Sequence, residues 1–238
     1  MPTAERLFSF YERSEGRLQF SIKANQLLTH EVTSLWQNAA EEFKTALMPL
    51  TQKDVLSAVL FQFPQSFHYT NDNRIYLAKL ISAFEGFPVV IEFRHKEWIR
   101  DSVFEGLIQR KASVAFCDMP ELKYLPSSST FIGPNAYIRL HGRNADAWYT
   151  VGSQVNGSAR YDYEYSEEEL SKFVPIIHLA SEGGRKVQVF FNNHPKGNGA
   201  KNAGQLKKLL DCFYSQKKTC YPASSENFKK SNSNNKGK

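Results

Sequence analysis

Short apolar runs rich in β-branched and aromatic residues recur along this chain, and several of them stop at charged or amide side chains. Four end in this way: VVIEFR (89–94), VAFCD (114–118), AYIRLHGR (136–143) and VQVFFNN (187–193). Strands of a parallel sheet that are buried on both faces read as continuous apolar runs. A (β/α) barrel builds its active site from polar groups at the carboxyl ends of such strands. The pattern therefore predicts parallel strands that share a site at one end.

Amphipathic stretches with helical spacing separate most of the strand-like runs, and a helix over 3–14 precedes the first. One stretch starts at Ser166, which forms a capping box with Glu169, and it continues through Phe173 and Ile177. Strands that alternate with helices indicate βαβ units and a parallel sheet. The six predicted strands are 18–24, 56–63, 88–94, 112–118, 135–141 and 186–193.

The composition is that of an ordinary α/β protein. The chain has 238 residues, 41% of them hydrophobic, and no stretch approaches the roughly 18 apolar residues of a membrane span. The first residues lack the basic and apolar regions of a secretory signal. Cys117, Cys212 and Cys220 have no CxxC spacing, which argues against a disulfide framework or a cysteine zinc site. We therefore expect a cytoplasmic protein without a membrane partner.

The net charge of +6 is concentrated at the carboxyl end of the chain. Residues 217–238 contain six lysines against Glu226, a net of +5, which leaves +1 for the rest. A nucleic-acid module normally has its basic stripe on the folded part, so the charge argues against a nucleic-acid partner. The sequence predicts one domain over 1–215 and a basic, low-complexity, disordered tail over 216–238.

The strand-end polar groups fall into sets that share a face, because side chains alternate along a strand. Glu92 and Arg94 share one face of their strand, and Arg139 and His141 share one face of theirs. Six strands that end in this way indicate a common site, although any one of these charges could instead face solvent. Four further polar residues can be placed on the same inward face of their own strands: Lys23, Gln62, Asp118 and Asn192.

Glu92 and Asp118 are the predicted catalytic carboxylates, with His141 as the group that transfers a proton. Adjacent strands lie about 4.8 Å apart, so we expect the two carboxylates to share a proton or a divalent metal ion. Alternatively, Arg94 and Arg139 pair with both acids and keep donors for an anionic substrate. A purely structural ion-pair network and a merely hydrogen-bonding His141 are the competing interpretations.

The remaining candidates would bind substrate. Arg143 would join the other arginines in holding negative charge, and Asn192 would orient the substrate. Lys23 and Gln62 complete the substrate-binding set, with an ion-pair role favoured for Lys23 over a Schiff base. His95 is out of phase with its neighbours and is expected to be structural. The segment HPKGNGAKNA (194–203) weakly resembles a phosphate-binding loop.

Three segments carry a more specific pattern: VVIEFRHKEW (89–98), YIRLHGRN (137–144) and VFFNNHPKGNGAKNA (189–203). Together with LQFSIKANQLLTH (18–30) and LFQFPQSF (60–67), they resemble the YecE-like family, domain of unknown function 72. The resemblance covers roughly residues 1–212. It implies a TIM-type (β/α)₈ barrel and supplies no particular reaction.

The resemblance also implies that two barrel strands of the family precede the point where this chain begins. The six predicted strands would then be the third to eighth of eight, and the barrel would be incomplete and N-terminally truncated. A start set at the wrong Met and a shortened gene are the two explanations. Strands 18–24 and 186–193 would have unpaired edges, so we expect self-association.

Two classes of function remain open. The leading hypothesis is an enzyme that acts on a small polar or anionic substrate at the carboxyl mouth of the barrel, as a metal-assisted hydrolase or lyase. The alternative is a non-catalytic binding module for a phosphorylated metabolite or nucleic acid, or an inactive remnant. A divalent metal is the candidate cofactor.

Overall fold

A computed structural model describes residues 1–127, 130–149 and 159–220, with side chains described to 215. Its strands match the six predicted runs, with the fourth run divided in two, and every pair of hydrogen-bonded strands is parallel. The strands are β1 (Phe20–Lys23), β2 (Leu56–Gln62), β3 (Val89–Glu92), β4 (Ser113–Val114), β5 (Phe116–Asp118), β6 (Asn135–Leu140) and β7 (Lys186–Phe191).

The strands form two sheets with the orders β1-β2-β3-β4 and β5-β6-β7. Only Ala115 separates β4 from β5, and its amide donates to the Ile91 carbonyl at 2.8 Å. The sheets therefore meet along one interrupted strand. In register, Gln62 lies beside Glu92, and Cys117 lies beside Arg139. The predicted gathering of polar groups at one edge follows from this parallel pairing.

The strands curve around a shared concave face. The hydroxyls of Ser21 on β1 and Tyr137 on β6 are 2.8 Å apart. A flat sheet with this strand order would place β1 and β6 roughly 19 Å apart, at about 4.8 Å per strand. The hydrogen bond between the two strands therefore requires strong curvature.

Side-chain alternation divides the core between the concave face and the helical layer. Leu60, Val90 and Tyr137 pack with Cys117 on the concave face. Residues of opposite phase, such as Ile91, pack outward in the cluster that includes the first four helices. The last three helices cover the outer face of β6 and β7.

Within the described residues, seven α-helices connect and cover the strands. The predicted capping box is confirmed, because the Ser166 hydroxyl accepts from Glu169 N while the Glu169 carboxylate accepts from Ser166 N. The helix that follows is interrupted at Lys172, since Pro175 has no N–H for the Ser171 carbonyl. The helices are α1 (Ala4–Arg13), α2 (Trp36–Gln52), α3 (Asn71–Ala83), α4 (Asp101–Gln109), α5 (Glu167–Ser171), α6 (Phe173–Glu182) and α7 (Asn198–Cys220).

The predicted domain boundary falls inside a helix, because α7 continues to Cys220. The remainder of the predicted tail, 221–238, lies outside the described residues. None of the described helices combines the length and the apolar composition that crossing a bilayer requires.

A stack of aromatic rings fixes the segments that follow β2 and β3. The Trp98 ring stacks on those of Phe67 and Phe93, with centroids 5.0 Å and 4.8 Å away. Its indole N–H donates to the Phe67 carbonyl at 2.6 Å, and the side chain is fully buried. Trp98 ends the 3-10 turn Lys96–Trp98, so the stack positions both connecting segments at the polar edge.

Replacing Trp98 with Phe should destabilise the protein by about 1–3 kcal/mol, because the buried Phe67 carbonyl loses its donor. Chemical denaturation measures the free energy of unfolding directly. Trp36→Phe is the control, since Trp36 is only partly buried against Tyr76. Equal losses in the two variants would contradict a specific role for the Trp98 hydrogen bond.

Candidate functional site

Glu92, the last residue of β3, is the centre of a buried ion-pair cluster. Its Oε1 accepts a hydrogen bond from Arg94 Nε at 2.6 Å, and its Oε2 accepts one from Arg139 Nη1. His141 Nε2 lies 3.3 Å from the same Oε1. The Glu92 side chain is 0% exposed and each arginine side chain is 9% exposed. The structure therefore brings Glu92, Arg94, Arg139 and His141 together.

The two arginines keep Glu92 ionised inside the protein. Burial by itself would raise the pKa of this carboxyl group, but the charges of Arg94 and Arg139 and the contact with His141 hold it well below its usual value. Burial likewise opposes the charge of each arginine, yet the Glu92 carboxylate raises the pKa of both. The cluster is mutually stabilised, and loss of one member would leave a buried charge unpaired.

His141 is a neutral imidazole in this cluster. Burial, followed by the charge of Arg94, lowers its pKa to about 4, although Glu92 acts in the opposite direction. Arg94 Nη2 lies 3.3 Å and 3.5 Å from the two ring nitrogens. Because a guanidinium only donates, a neutral ring can supply it with a lone pair.

Cys117 faces the same interior, and its ligand atom lies within 4.8 Å of those of Glu92 and His141. The three donors nevertheless fit a divalent metal ion poorly. Both carboxylate oxygens already accept from guanidinium groups, and burial raises the pKa of the Cys117 thiol well above its usual value. A cation at this point would also meet the charges of Arg94 and Arg139. The predicted divalent metal finds no suitable donors here.

Lys23 and Gln62 lie at the open edge of this cluster. The Lys23 ammonium donates to Gln62 Oε1 at 2.8 Å. Desolvation and then the charge of Arg139 lower the pKa of Lys23, while Glu92 acts to raise it. Lys23 is exposed, unlike the buried arginines. These contacts bring both predicted substrate-binding residues to the mouth above Glu92.

Asp118 does not join Glu92, and the prediction of a carboxylate pair is wrong. Asp118 shares its strand phase with Phe116, which packs outward against the helices, whereas Cys117 turns to the concave face. Alternation along the strand correctly predicts that Asp118 and Phe116 share a face of the sheet. That face turns outward to the helices and not to the concave side. Arg143 is likewise separate from the other arginines and binds Asp118 through its Nε and Nη2 atoms at 3.0 Å and 2.7 Å.

Tyrosines that the sequence-based site omitted complete a second cluster around Asp118. Tyr165 donates to Asp118 Oδ2 at 2.6 Å and accepts from the Gly142 amide at 2.8 Å. Arg143 and Tyr163 both donate to Glu169 Oε1, at 3.0 Å and 2.6 Å. The alternating tyrosines of YDYEY (161–165) were the available signal, because alternation sends them to one side of an extended segment.

The end of β7 contributes less to the site than predicted. Asn192 donates through its backbone amide to the Leu140 carbonyl at 2.7 Å, which continues the sheet. Its neighbour Asn193 is buried and donates to the Tyr163 carbonyl and to Asn202 Oδ1. Asn202 in turn bonds both backbone groups of Tyr165. Asn193 and Asn202 therefore hold the tyrosine segment in place, and Asn202 lies in the region 194–203 that resembled a phosphate-binding loop.

The fold and cluster define a class: an α/β protein whose curved parallel strands carry a buried carboxylate–guanidinium cluster at their carboxyl ends. Within that class, the model of the family described as "Protein of unknown function DUF72" matches residues 1–226, so the chain belongs to the DUF72 family. The family resemblance drawn from the sequence motifs is confirmed.

Individual relatives agree with this assignment. The chain is 30% identical to the UPF0759 protein YunF of Bacillus subtilis over 210 residues, which is 83% of this chain and 74% of YunF. It is similar to the crystal structure of a DUF72 family protein from Thermotoga maritima, with 30% identity and a TM-score of 0.78, covering 89% of this chain and 80% of the other. A DUF72 family protein from Enterococcus faecalis gives 25% identity and a TM-score of 0.77, covering 88% and 80%.

Acid should destabilise the protein partly through His141. The unfolded histidine has a pKa of 6.5 and the folded one about 4, so the unfolded state binds the proton more tightly between these values. Stability from this group is present above pH 6.5 and is lost as the pH falls towards 4, by on the order of 3 kcal/mol. We expect His141→Gln to lose less stability than the wild type over this range.

Urea denaturation at a series of pH values compares the two proteins. The carboxyl groups that titrate in the same range are common to both, so the difference isolates His141. Parallel loss of stability in the wild type and in His141→Gln would contradict a neutral, buried imidazole.

Proposed function

We propose that the protein binds a small anionic molecule at the mouth of the concave face, above the buried Glu92 cluster. The observation that carries this proposal is an imbalance of charge. Lys23, Arg94 and Arg139 bring three positive charges against the single carboxylate of Glu92, while His141 is neutral at pH 7, which gives a net charge of +2. Charges inside a low-dielectric interior act more strongly than charges in water.

The hydrogen bonds of the cluster support the same proposal. Arg139 Nε is buried and has no hydrogen-bond partner among the described residues, so Glu92 does not satisfy this guanidinium completely. Trp148 is buried and its ring lies 5.8 Å from the Arg94 guanidinium, so it covers that arginine. Lys23 is thus the cation best placed to contact a ligand, with the arginines supplying the field behind it.

The second cluster, around Asp118, is acidic, so it favours an anion on the side of the mouth where Lys23 lies. Asp118 and Glu169 bring two carboxylates against the single guanidinium of Arg143, a net charge of −1. An anion would avoid this cluster and lie over the net-positive interior. In this proposal Asp118 and Arg143 position the tyrosine segment and do not contact the ligand.

Carboxylates and phosphates are the ligand classes that this arrangement suits, because guanidinium and ammonium groups bind both. Glu92 and His141 are both 0% exposed, so we assign them to holding charge inside the site, and their predicted catalytic roles receive less support. Binding of a small anion is therefore the preferred function. Catalysis on that anion is the second candidate, which requires His141 to become accessible.

Replacing Lys23 with Gln should weaken stabilisation by anions at least about tenfold in apparent affinity, because the accessible charge at the mouth is removed. Thermal melts with inorganic phosphate and with succinate, at an ionic strength matched with chloride, measure this effect. Lys79→Gln on α3 is the matched control, since Lys79 is exposed on an outer helix. Equal responses in the two variants, or no stabilisation of the wild type by either anion, would remove the basis of the proposal.

We further propose that the curved strands form part of the wall of a TIM-type barrel. The parallel pairing, the concave contact between Ser21 and Tyr137, and the polar residues at the carboxyl ends support this architecture. β1 and β7 each have one neighbouring strand within the described part of the chain.

Unpaired strand edges invite pairing with another chain, so we expect the isolated 238-residue polypeptide to self-associate. Sedimentation velocity over a range of protein concentrations measures this association, and the sedimentation coefficient should rise with concentration. A single monomeric species at every concentration would show that β1 and β7 do not pair between copies.

A further inference from the structure

A third group of polar side chains, separate from the Glu92 and Asp118 clusters, lies outside the concave face, on the segments that follow β2 and β3. His68, His95 and Glu97 each offer one ligand atom, and these atoms all lie within 4.8 Å of one another. His95 follows Arg94 directly but has the opposite phase, so its ring faces away from the Glu92 cluster. We propose that these three residues bind a divalent transition-metal ion such as Zn²⁺.

The two distances from the Glu97 carboxylate fit the geometry of a metal site. His68 Nδ1 lies 3.3 Å and His95 Nδ1 lies 3.4 Å from the same Glu97 Oε2 atom. Two ligand atoms bound at about 2.0–2.1 Å to a tetrahedral metal ion stand about 3.3 Å apart. Two imidazoles and one carboxylate are a ligand set that zinc accepts, with a fourth position left for water.

The hydrogen bond made by His95 leaves a lone pair facing the carboxylate. His95 Nδ1 accepts from the Glu97 backbone amide at 3.3 Å, so this nitrogen carries no proton in that arrangement. A lone pair then lies 3.4 Å from a carboxylate oxygen without a proton between them. A cation between these two atoms relieves the repulsion, and the metal ion must displace this long amide bond together with the hydrogen bond between His68 Nδ1 and Glu97 Oε2.

The surroundings hold the ligands in place and leave the group accessible. The ring of His95 is buried and stacks on Tyr124 with centroids 5.9 Å apart, and the Tyr69 amide donates to Glu97 Oε2 at 3.2 Å. The side chains of His68 and Glu97 are 54% and 41% exposed. They line an open cleft of about 530 Å³, which gives an ion and its water a path to the ligands.

Lys96 lines the same cleft and opposes a bound dication. The site should therefore bind metal more weakly than it would with a neutral residue in this position. Lys96→Met should tighten metal binding if a cation occupies the cleft.

Isothermal titration of the tag-free, full-length chain with Zn²⁺ tests the site. We expect one ion per chain in the wild type, and His68→Ala and Glu97→Gln should each weaken binding at least about tenfold, as removal of a ligand from a metal site does. Visible absorption with Co²⁺ as a substitute should show a coordinated ion in the wild type and lose this signal in both variants.

His30→Ala is the matched control, because His30 lies on another segment and bonds Thr29. It should bind Zn²⁺ like the wild type, and so should Lys23→Gln, which separates this site from the anion site. Thermal melts without metal establish that each variant folds, and His68→Gln replaces His68→Ala if the latter does not. Absence of Zn²⁺ binding in the wild type, or equal affinity in His68→Ala and His30→Ala, would overturn the proposal.

Discussion

The ion pairs of Glu92 are the interaction on which the polar end of this structure depends. A carboxylate taken out of water costs several kcal/mol unless it is paired and hydrogen-bonded. Glu92 meets this requirement with one arginine from its own segment and one from β6. Because Arg139 is two strands beyond β3 in the strand order, the pairing also requires the curvature that brings the strand ends together.

This constraint also accounts for the chemistry of the site. One carboxylate cannot neutralise two guanidinium groups, and Lys23 adds a third positive charge at the mouth. The same two arginines keep a metal ion away from Glu92, Cys117 and His141, although these donors are close enough to bind one. An anion is the ligand that such an interior favours, whereas a metal ion finds better donors outside it, at His68, His95 and Glu97.

Sequence periodicity identified the strands and the members of the Glu92 cluster well, because both depend on alternation within single strands. Glu92 with Arg94, and Arg139 with His141, share a face by spacing alone. Which face of the sheet is concave depends instead on pairing between distant strands. Asp118 shows the consequence, because its phase was right while its side of the sheet was wrong.

Contacts made by loops were the other part that the sequence could not supply. Tyr163 and Tyr165 reach Glu169 and Asp118 only because Asn193 and Asn202 hold the tyrosine segment against the end of β7. His68 and His95 are 27 positions apart and meet through the stacking of Trp98 on its neighbours. Such distances in sequence carry no periodic signal, so packing alone reveals them.

A double-mutant cycle between Glu92 and Arg139 measures directly how strongly the two buried charges depend on each other. The free energies of unfolding of Glu92→Gln, Arg139→Met and the double variant are compared with that of the wild type. If Glu92 organises the cluster, each single variant leaves a buried charge poorly paired, and the two effects are non-additive by at least about 1 kcal/mol. Additive effects would show that the buried carboxylate and guanidinium do not depend on each other, and that Glu92 does not organise the cluster.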